Sequence, residues 1–349
     1  GSIEWSDELL TEEERLLFHN LAIFAGGFTV EAAEIVCRKQ RSLQDDNQLL
    51  RTDFDILDGI TSLVDKSLLT ANEQSDGNYR FRMLEVVREY ALEFFEESND
   101  FDVVAKSHAD YFLALAEEAE PHLSIAPSVQ GLHRLEDDHD NLRAALRWSL
   151  EHNTEMAARL AAALRYFWSR HNHLIEARKW FEMVLEKGGL DTPAAVRFKL
   201  LNGNGMFAKQ QGDYVMARKM YEIGLAEGRS ANDGPQIASS SRGLGMVAIK
   251  QADFGTARKY LEEGLAISRK LNDKFGIALS LSMLGDLARL EGNSLEARSH
   301  FEASLVISRQ LDDKWFLTGN LNNLGFVAFD LGDHGSASLH FTEALAMVR

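Results

Sequence analysis

One cysteine and four prolines in 349 residues are the first constraint. A single thiol, Cys37, cannot close an internal disulfide, which points to a reducing, cytoplasmic setting. So few prolines leave room for long uninterrupted helices. No apolar run approaches the roughly 20 residues of a membrane span, and no secretory signal is present. The glycine-rich loop ending in Lys and Ser or Thr that cradles phosphate is missing. Gly203-Asn204-Gly205 and Gly243-Leu244-Gly245 imitate a dinucleotide fingerprint, but no strand precedes them, so they read as parts of helices. His133, Asp137, His139 and Asp140, like His171 and His173, lack metal-ligand spacing and read as solvated helix surface. No serine sits in a nucleophile elbow, and Cys37 in an apolar helix reads as inert packing. The sequence therefore assigns no catalytic residue, no metal and no cofactor within this chain.

Basic residues are also scarce where nucleic acid would need them. The net charge is −17. Up to Ala105, nine basic side chains face twenty-three acidic ones, whereas the remainder is only slightly negative. Phosphate contacts require Lys and Arg, so nucleic acid is an unfavourable partner for the first part.

What is abundant is repetition. From about Leu201 onward a two-helix pattern recurs with a period of roughly 40 residues, as in a helical solenoid. Gly205, Gly245, Gly285 and Gly325 fall in step, as do Ala208, Ala248, Ala288 and Ala328. So do Ala217, Ala257, Ala297 and Ala337, each followed four residues on by Tyr221, Leu261, Phe301 or Phe341. Small residues mark where antiparallel helices touch, and the large residue is expected to fill the gap to the next unit. Gly212-Asp213, Asp253, Gly292-Asn293 and Gly332-Asp333 stop one helix and start the next. Asp233, Asp273 and Asp313 are expected N-caps between units. An earlier, degenerate copy keeps Ala177, Phe181 and Leu185 but has Arg165 in place of the glycine. Arg178, Arg218, Arg258 and Arg298 each have a glutamate four residues on, and are expected to pair with it on a solvated face.

The L-G…A-x3-F skeleton of Leu284-Gly285…Ala297-x3-Phe301 and its counterparts resembles the tetratricopeptide repeat family, over roughly the last half of the chain. The period resembles the longer-helix variant of MalT-like regulators. The resemblance implies a mainly α fold whose first helices line a concave groove for a protein, peptide or small inducer. It assigns to that groove Asn202, Met206, Lys209, Arg242, Met246, Lys250, Ser282, Asp286, Arg289, Asn322, Phe326 and Phe329. Arg349 follows directly on a second helix with Phe341, Leu345 and Met347 apolar, so the array is expected to continue in a longer protein, or to self-associate through its end. Gly1-Ser2 reads as a vector remnant, which places the natural start upstream.

The first hundred residues read as a helix with Leu16, Leu17, Leu21 and Phe24 on one face, broken by Gly26-Gly27-Phe28-Thr29, a short helix from Val30 to about Cys37, a helix from about Phe54 to Asp65, a β-hairpin over Leu68–Ala71 and Tyr79–Met83, and a helix from Glu85 to about Glu97. Three helices and a hairpin make a winged helix. Its groove-entering helix would carry Asp53, Asp55, Asp58 and Asp65 with only Lys66 in support. Beyond it a helix from Ser107 should end at Pro121, and a second should run from about Pro127 to His152. The expected boundaries are a winged helix over 3–98, linking helices over 99–160 and repeats over 161–349.

Leu21-Ala22-Ile23-Phe24, Leu63-Val64-Asp65-Lys66-Ser67-Leu68-Leu69 and Tyr79-Arg80-Phe81-Arg82-Met83-Leu84-Glu85 resemble the winged helix that follows the nucleotide-binding domain in STAND signalling ATPases, which include bacterial LuxR-type and antibiotic-regulatory transcription activators. The resemblance implies an intramolecular nucleotide-binding domain as partner, with ATP or ADP held only there. Met83, Leu84 and Glu85 fall on the family's Met-His-Asp motif. Leu84 cannot hydrogen-bond a phosphate.

Overall fold

The computed structural model describes residues 6–38, 55–74, 77–124, 129–311 and 313–348. The Asp45-Asp46-Asn47 loop, Asp53 and Asp76 lie outside them. Contacts divide the chain into two units, Gly1–Pro121 with Ser128–Phe167, and His122–Pro127 with Trp168–Arg349.

In the first unit, α1 (Glu12–Leu21) starts at a capping box. The Thr11 hydroxyl accepts from the Glu14 N–H at 3.2 Å, and the Glu14 carboxylate accepts from the Thr11 N–H at 2.8 Å;. α2 (Val30–Arg38) and α3 (Ile56–Asp65) follow, the latter capped by the Asp55 carboxylate. Strands β1 (Leu69–Glu73) and β2 (Tyr79–Met83) pair antiparallel with Ala71 opposite Phe81, and Phe28 bridges to Phe81 on the other side of β2. α4 (Glu85–Glu96) closes the winged helix. Its core is Leu17, Phe18, Leu21, Ile60, Leu63, Phe81 and Ala91, all buried.

α5 runs from Phe101 to Ser124, straight through Pro121. The expected stop at Pro121 is therefore wrong. A proline costs a helix one hydrogen bond, but here it falls in the last turn. There the fully buried Leu123 and the Arg170 guanidinium, donating to the Leu123 carbonyl at 3.0 Å, hold the chain helical. The helix expected up to His152 is in fact two, α6 (Val129–Asp137) and α7 (His139–His152), parted at Asp138. α8 (Thr154–Ala163) and the short α9 (Arg165–Arg170) follow.

The second unit holds α10 (Leu174–Gly188), then four helix pairs: α11 (Ala194–Gln210) with α12 (Tyr214–Ala231), α13 (Gly234–Lys250) with α14 (Phe254–Lys270), α15 (Lys274–Leu290) with α16 (Ser294–Leu311), and α17 (Lys314–Asp330) with α18 (His334–Val348). All three inter-unit caps occur, Asp233, Asp273 and Asp313 accepting from the N–H groups of Gln236, Gly276 and Phe316;. Asp213, Asp253, Asn293 and Asp333 cap the second helices in the same way. The turns before them place Gly212, Gly292 and Gly332 at φ between 76° and 79°, and the corresponding Ala252 at 59°.

The glycine register does what its spacing predicts. A Cβ on Gly205 would lie 2.9 Å from Tyr221, on Gly245 2.7 Å from Leu261, on Gly285 2.7 Å from Phe301 and on Gly325 2.6 Å from Phe341. The large residue therefore sits on the glycine of its own unit and, as expected, shares its core with the first helix of the next: Tyr221 with Leu244 and Val247, Leu261 with Leu284 and Leu287, Phe301 with Leu321 and Leu324. Tyr221 also lies close to Gly243 of the next unit. The degenerate copy keeps this second contact: buried Phe181 of α10 lies against Gly203 of α11 and its ring is 5.4 Å from Phe207.

Candidate partner-binding face

Successive first helices α11, α13, α15 and α17 approach one another directly, while the second helices stay further apart. That spacing puts the first helices on the inner side of the stack. Of the residues assigned there, Met206, Lys209, Met246, Asp286 and Asn322 are half-buried, and Lys250, Arg289, Phe326 and Phe329 are exposed. Asn202 is half-buried and donates to the Ser239 hydroxyl at 2.9 Å, tying α11 to α13. Arg289 stands 6.0 Å over the Phe326 ring, a cation–π contact between α15 and α17;. Phe326 in turn meets Phe341 edge-on at 5.3 Å.

Two assignments change. Arg242 is buried and donates to the Ser268 hydroxyl at 3.1 Å, its stem against Gly264. It fills the seam between α13 and α14 because Gly264 leaves space for a long aliphatic stem, and it is not a groove residue. Ser282 is likewise buried. Burial raises the Asp286 carboxyl to about 6 against the opposing pull of Arg289 and Lys250, and it lowers the Lys209 ammonium, with Lys250 adding to the fall;.

The arginine row pairs differently from the expected i,i+4 pattern. Arg178 donates to Gln211 and, at 2.9 Å, to Asp213, and is only 3.6 Å from Glu182. Arg218 donates to Gln251, and Arg258 to both Glu291 and Glu296. Arg298 takes its own Glu302 at 2.8 Å, and Arg178 keeps an ion pair with its own Glu182 at 3.6 Å. Each of the first three reaches the following unit, where Arg178 and Arg258 find two acceptors at once, which outweigh an exposed pair worth about 0.2–0.5 kcal/mol;. The row is inter-unit stitching. A second polar seam was not foreseen: Ser304 donates to the Ala278 carbonyl and Asn320 to the Ser308 hydroxyl, all buried. Its signal, Ser or Asn at 240, 280 and 320, lies in the same 40-residue register.

In the winged helix, Asp55, Asp58 and Asp65 of the α3 region are exposed. Lys66 does not offset them, because its ammonium lies 2.7 Å from both Glu14 oxygens. Burial alone would raise the Glu14 carboxyl, but hydrogen bonds from Lys66, Ser62 and Thr11 bring it down to about 2. Met83 is buried, whereas Leu84 is 58% exposed and Glu85 pairs with Arg88 at 3.0 Å. Cys37 is buried, and burial pushes its thiol up to about 12, which makes it inert as the sequence suggested;. His139 is not solvated surface as expected: it is buried, edge-on to Phe167 at 5.2 Å.

The sequence reading also missed a latch. Arg80 of β2 donates to the Gly27 carbonyl at 2.6 Å, to the Asp137 carbonyl at 2.8 Å and to the Asp138 carboxylate. Asn141 of α7 donates to the same Gly27 carbonyl at 2.9 Å. The wing is thus bound to the linking helices, and a Cβ on Gly27 would strike the Arg80 guanidinium at 2.7 Å. The Gly26-Gly27 pair was the only sequence sign of it.

Residues 10–95 match the family model of a winged helix-turn-helix domain, and residues 197–270 and 276–349 match that of the tetratricopeptide repeat. A Mycobacterium tuberculosis protein named "Putative HTH-type transcriptional regulator" is 39% identical over 218 residues, which are 60% of this chain and 23% of that protein. The match thus spans under a quarter of that relative's length. Aspartyl phosphate phosphatase F from Bacillus subtilis superposes with a TM-score of 0.53 at 12% identity, over 75% of this chain and 66% of that one. A STAND protein with a tetratricopeptide repeat sensor from Pyrococcus horikoshii superposes with a TM-score of 0.47 at 13% identity, over 97% and 57%. Among the described residues no helix is long and apolar enough to cross a membrane. The chain is a winged helix-turn-helix domain followed by tetratricopeptide repeats.

Proposed function

We propose that this chain is the regulatory and sensor part of a STAND-type signal-transduction ATPase or transcriptional regulator. The repeats bind a protein, peptide or small inducer on the first-helix face, and the winged helix relays that event to a nucleotide-binding domain elsewhere in the protein. ATP or ADP belongs to that domain, and this part performs no catalysis. The observation that carries the reading is the combination of an acidic winged helix with a repeat face whose Met, Phe and cationic groups are open to a partner;. The relative named as a transcriptional regulator supports a regulatory role. In this reading DNA is contacted by another part of the protein, since α3 presents exposed aspartates and its one lysine is held by Glu14;.

Ligand binding can act on such a relay only by favouring one of two arrangements of the protein. The test is affinity capture of partners with the chain as it stands and with a Met246→Glu, Arg289→Glu variant. Loss of the captured species supports the face as the site, and unchanged capture moves the site elsewhere. A low-salt mobility-shift titration tests the DNA statement: tight binding with a steep salt dependence would refute it.

A further inference from the structure

The solvent side of α4 carries a row of large apolar side chains. Val86 is 67% exposed and Phe94 47%, with half-buried Tyr90 between them. The three recur every fourth residue and so share one face of the helix. Two rings brace that face: Phe94 lies 4.9 Å from Tyr90 and stacks on His19 of α1 at 5.7 Å. Along one edge the row meets the core through Val87, Ala91 and Phe95, all buried. Along the other stand Glu89, Glu93 and Glu97, all exposed and with no ion pair among the described residues.

Those acids are poorly placed for the helix itself. Glu93 and Glu96 fall in its last turn and Glu97 is its C-cap, where the helix dipole disfavours negative charge, and that turn holds no basic residue;. Glu89, Glu93 and Glu97 also stand four residues apart, a spacing at which like charges repel. Neither the apolar row nor its acidic edge stabilises α4 in isolation. A partner that covers the one and neutralises the other accounts for both.

We propose that this face of α4 docks an amphipathic helix of a partner protein, with its apolar side chains on Val86, Tyr90 and Phe94 and its lysines or arginines along one edge against Glu89, Glu93 and Glu97. From Val86 to Phe94 is about 12 Å along the helix, so roughly two turns of the incoming helix cover the row. Removal of apolar surface from water supplies the affinity, with the braced aromatic pair as anchor. The acids select the partner, because a helix with an acidic edge is repelled. The surface belongs to the winged helix and not to the repeats, so the proposal goes beyond the first-helix face as partner site and survives the failure of that reading.

Fluorescence anisotropy with labelled, end-blocked peptides and the whole chain tests it. The probes are a helix-forming peptide with Leu along one face, Lys along one edge of it and Ala elsewhere, the same residues in scrambled order, and the first peptide with Glu for Lys. The Lys peptide should bind and slow hydrogen exchange across α4, and the other two should not. Val86→Ser should weaken that binding about tenfold, as for one aliphatic side chain no longer buried. Glu89→Lys with Glu93→Lys, both on solvent, should weaken the Lys peptide about tenfold or more and admit the Glu peptide. A damaged fold would admit neither, so the exchange of partners separates docking from unfolding. Failure of the Lys peptide to bind overturns the proposal. Equal binding by the scrambled peptide overturns it too, since attraction to a chain of net charge −17 would then suffice. So does binding that leaves exchange in α4 or the affinities of the variants unchanged. Sedimentation showing a dimer that Val86→Ser dissociates is the last refuting result, because a second copy would then occupy the face.

Discussion

Two glycines in neighbouring repeats should respond to the same substitution with opposite sign. Gly285→Ala places a Cβ 2.7, 2.8 and 2.9 Å from three ring carbons of Phe301, itself fully buried. The ring must retreat by roughly half an ångström or more into a packed interior, which costs about 1–3 kcal/mol. Better helix propensity returns about 1 kcal/mol. The net expectation is destabilisation of about 0–2 kcal/mol. Gly319, inside α17, has nothing within 4 Å of its would-be Cβ and is exposed, so Gly319→Ala keeps the whole propensity gain of about 1 kcal/mol;. Hydrogen exchange read by mass spectrometry is the suitable assay, because a stack of repeats opens locally and one global midpoint would average the two effects. Protection should fall across α15 and α16 in the first variant and rise across α17 in the second. In a Phe301→Ala background the ring is gone, and Gly285→Ala should become stabilising. A wild-type background in which Gly285→Ala protects as well as Gly319→Ala would refute the interlocking of glycine and ring on which the fold reading depends.

Arg80→Met leaves the buried Asp138 carboxylate without its cation, at a cost of about 3–5 kcal/mol;; exchange should accelerate in α6 and α7, and Asp138→Asn in the same chain should restore part of the loss. Ala252 holds φ 59° where its three counterparts are glycines, so Ala252→Gly should raise the urea midpoint by an amount equivalent to about 1 kcal/mol;. The Asp286 carboxyl, raised from 3.8 to about 6, is ionised in the unfolded chain before the folded one. Its contribution to stability should therefore decline as pH rises between those values, so Asp286→Asn should gain on the parent across that interval and exceed it near neutral pH by about 1–3 kcal/mol. Urea titrations in which the difference between variant and parent does not grow across that interval would contradict the assignment.

The repeat fold was legible because a stacked helix pair writes the same constraint at the same offset every time. Gly285 and Phe301, the capping aspartates and the αL turns are local necessities, and four copies in register leave no other reading. The winged helix was legible for a related reason, since a capping box, alternating strand residues and a tight turn are short-range signals. The direction of long side chains was not. Arg178 and Arg258 satisfy the helix-surface pairing rule on paper, yet tertiary stacking brings acceptors 33 to 38 residues away within closer reach. The same holds for Arg242, whose place in the seam depends on the absent side chain of Gly264 on the neighbouring helix, and for Arg80, whose three acceptors come from separate parts of the first unit. The amino-acid order by itself determined which segments are helices and where small residues let them touch. Only the tertiary structure decided which charges are spent on holding units together, because that depends on distances between residues that no periodicity along the chain records.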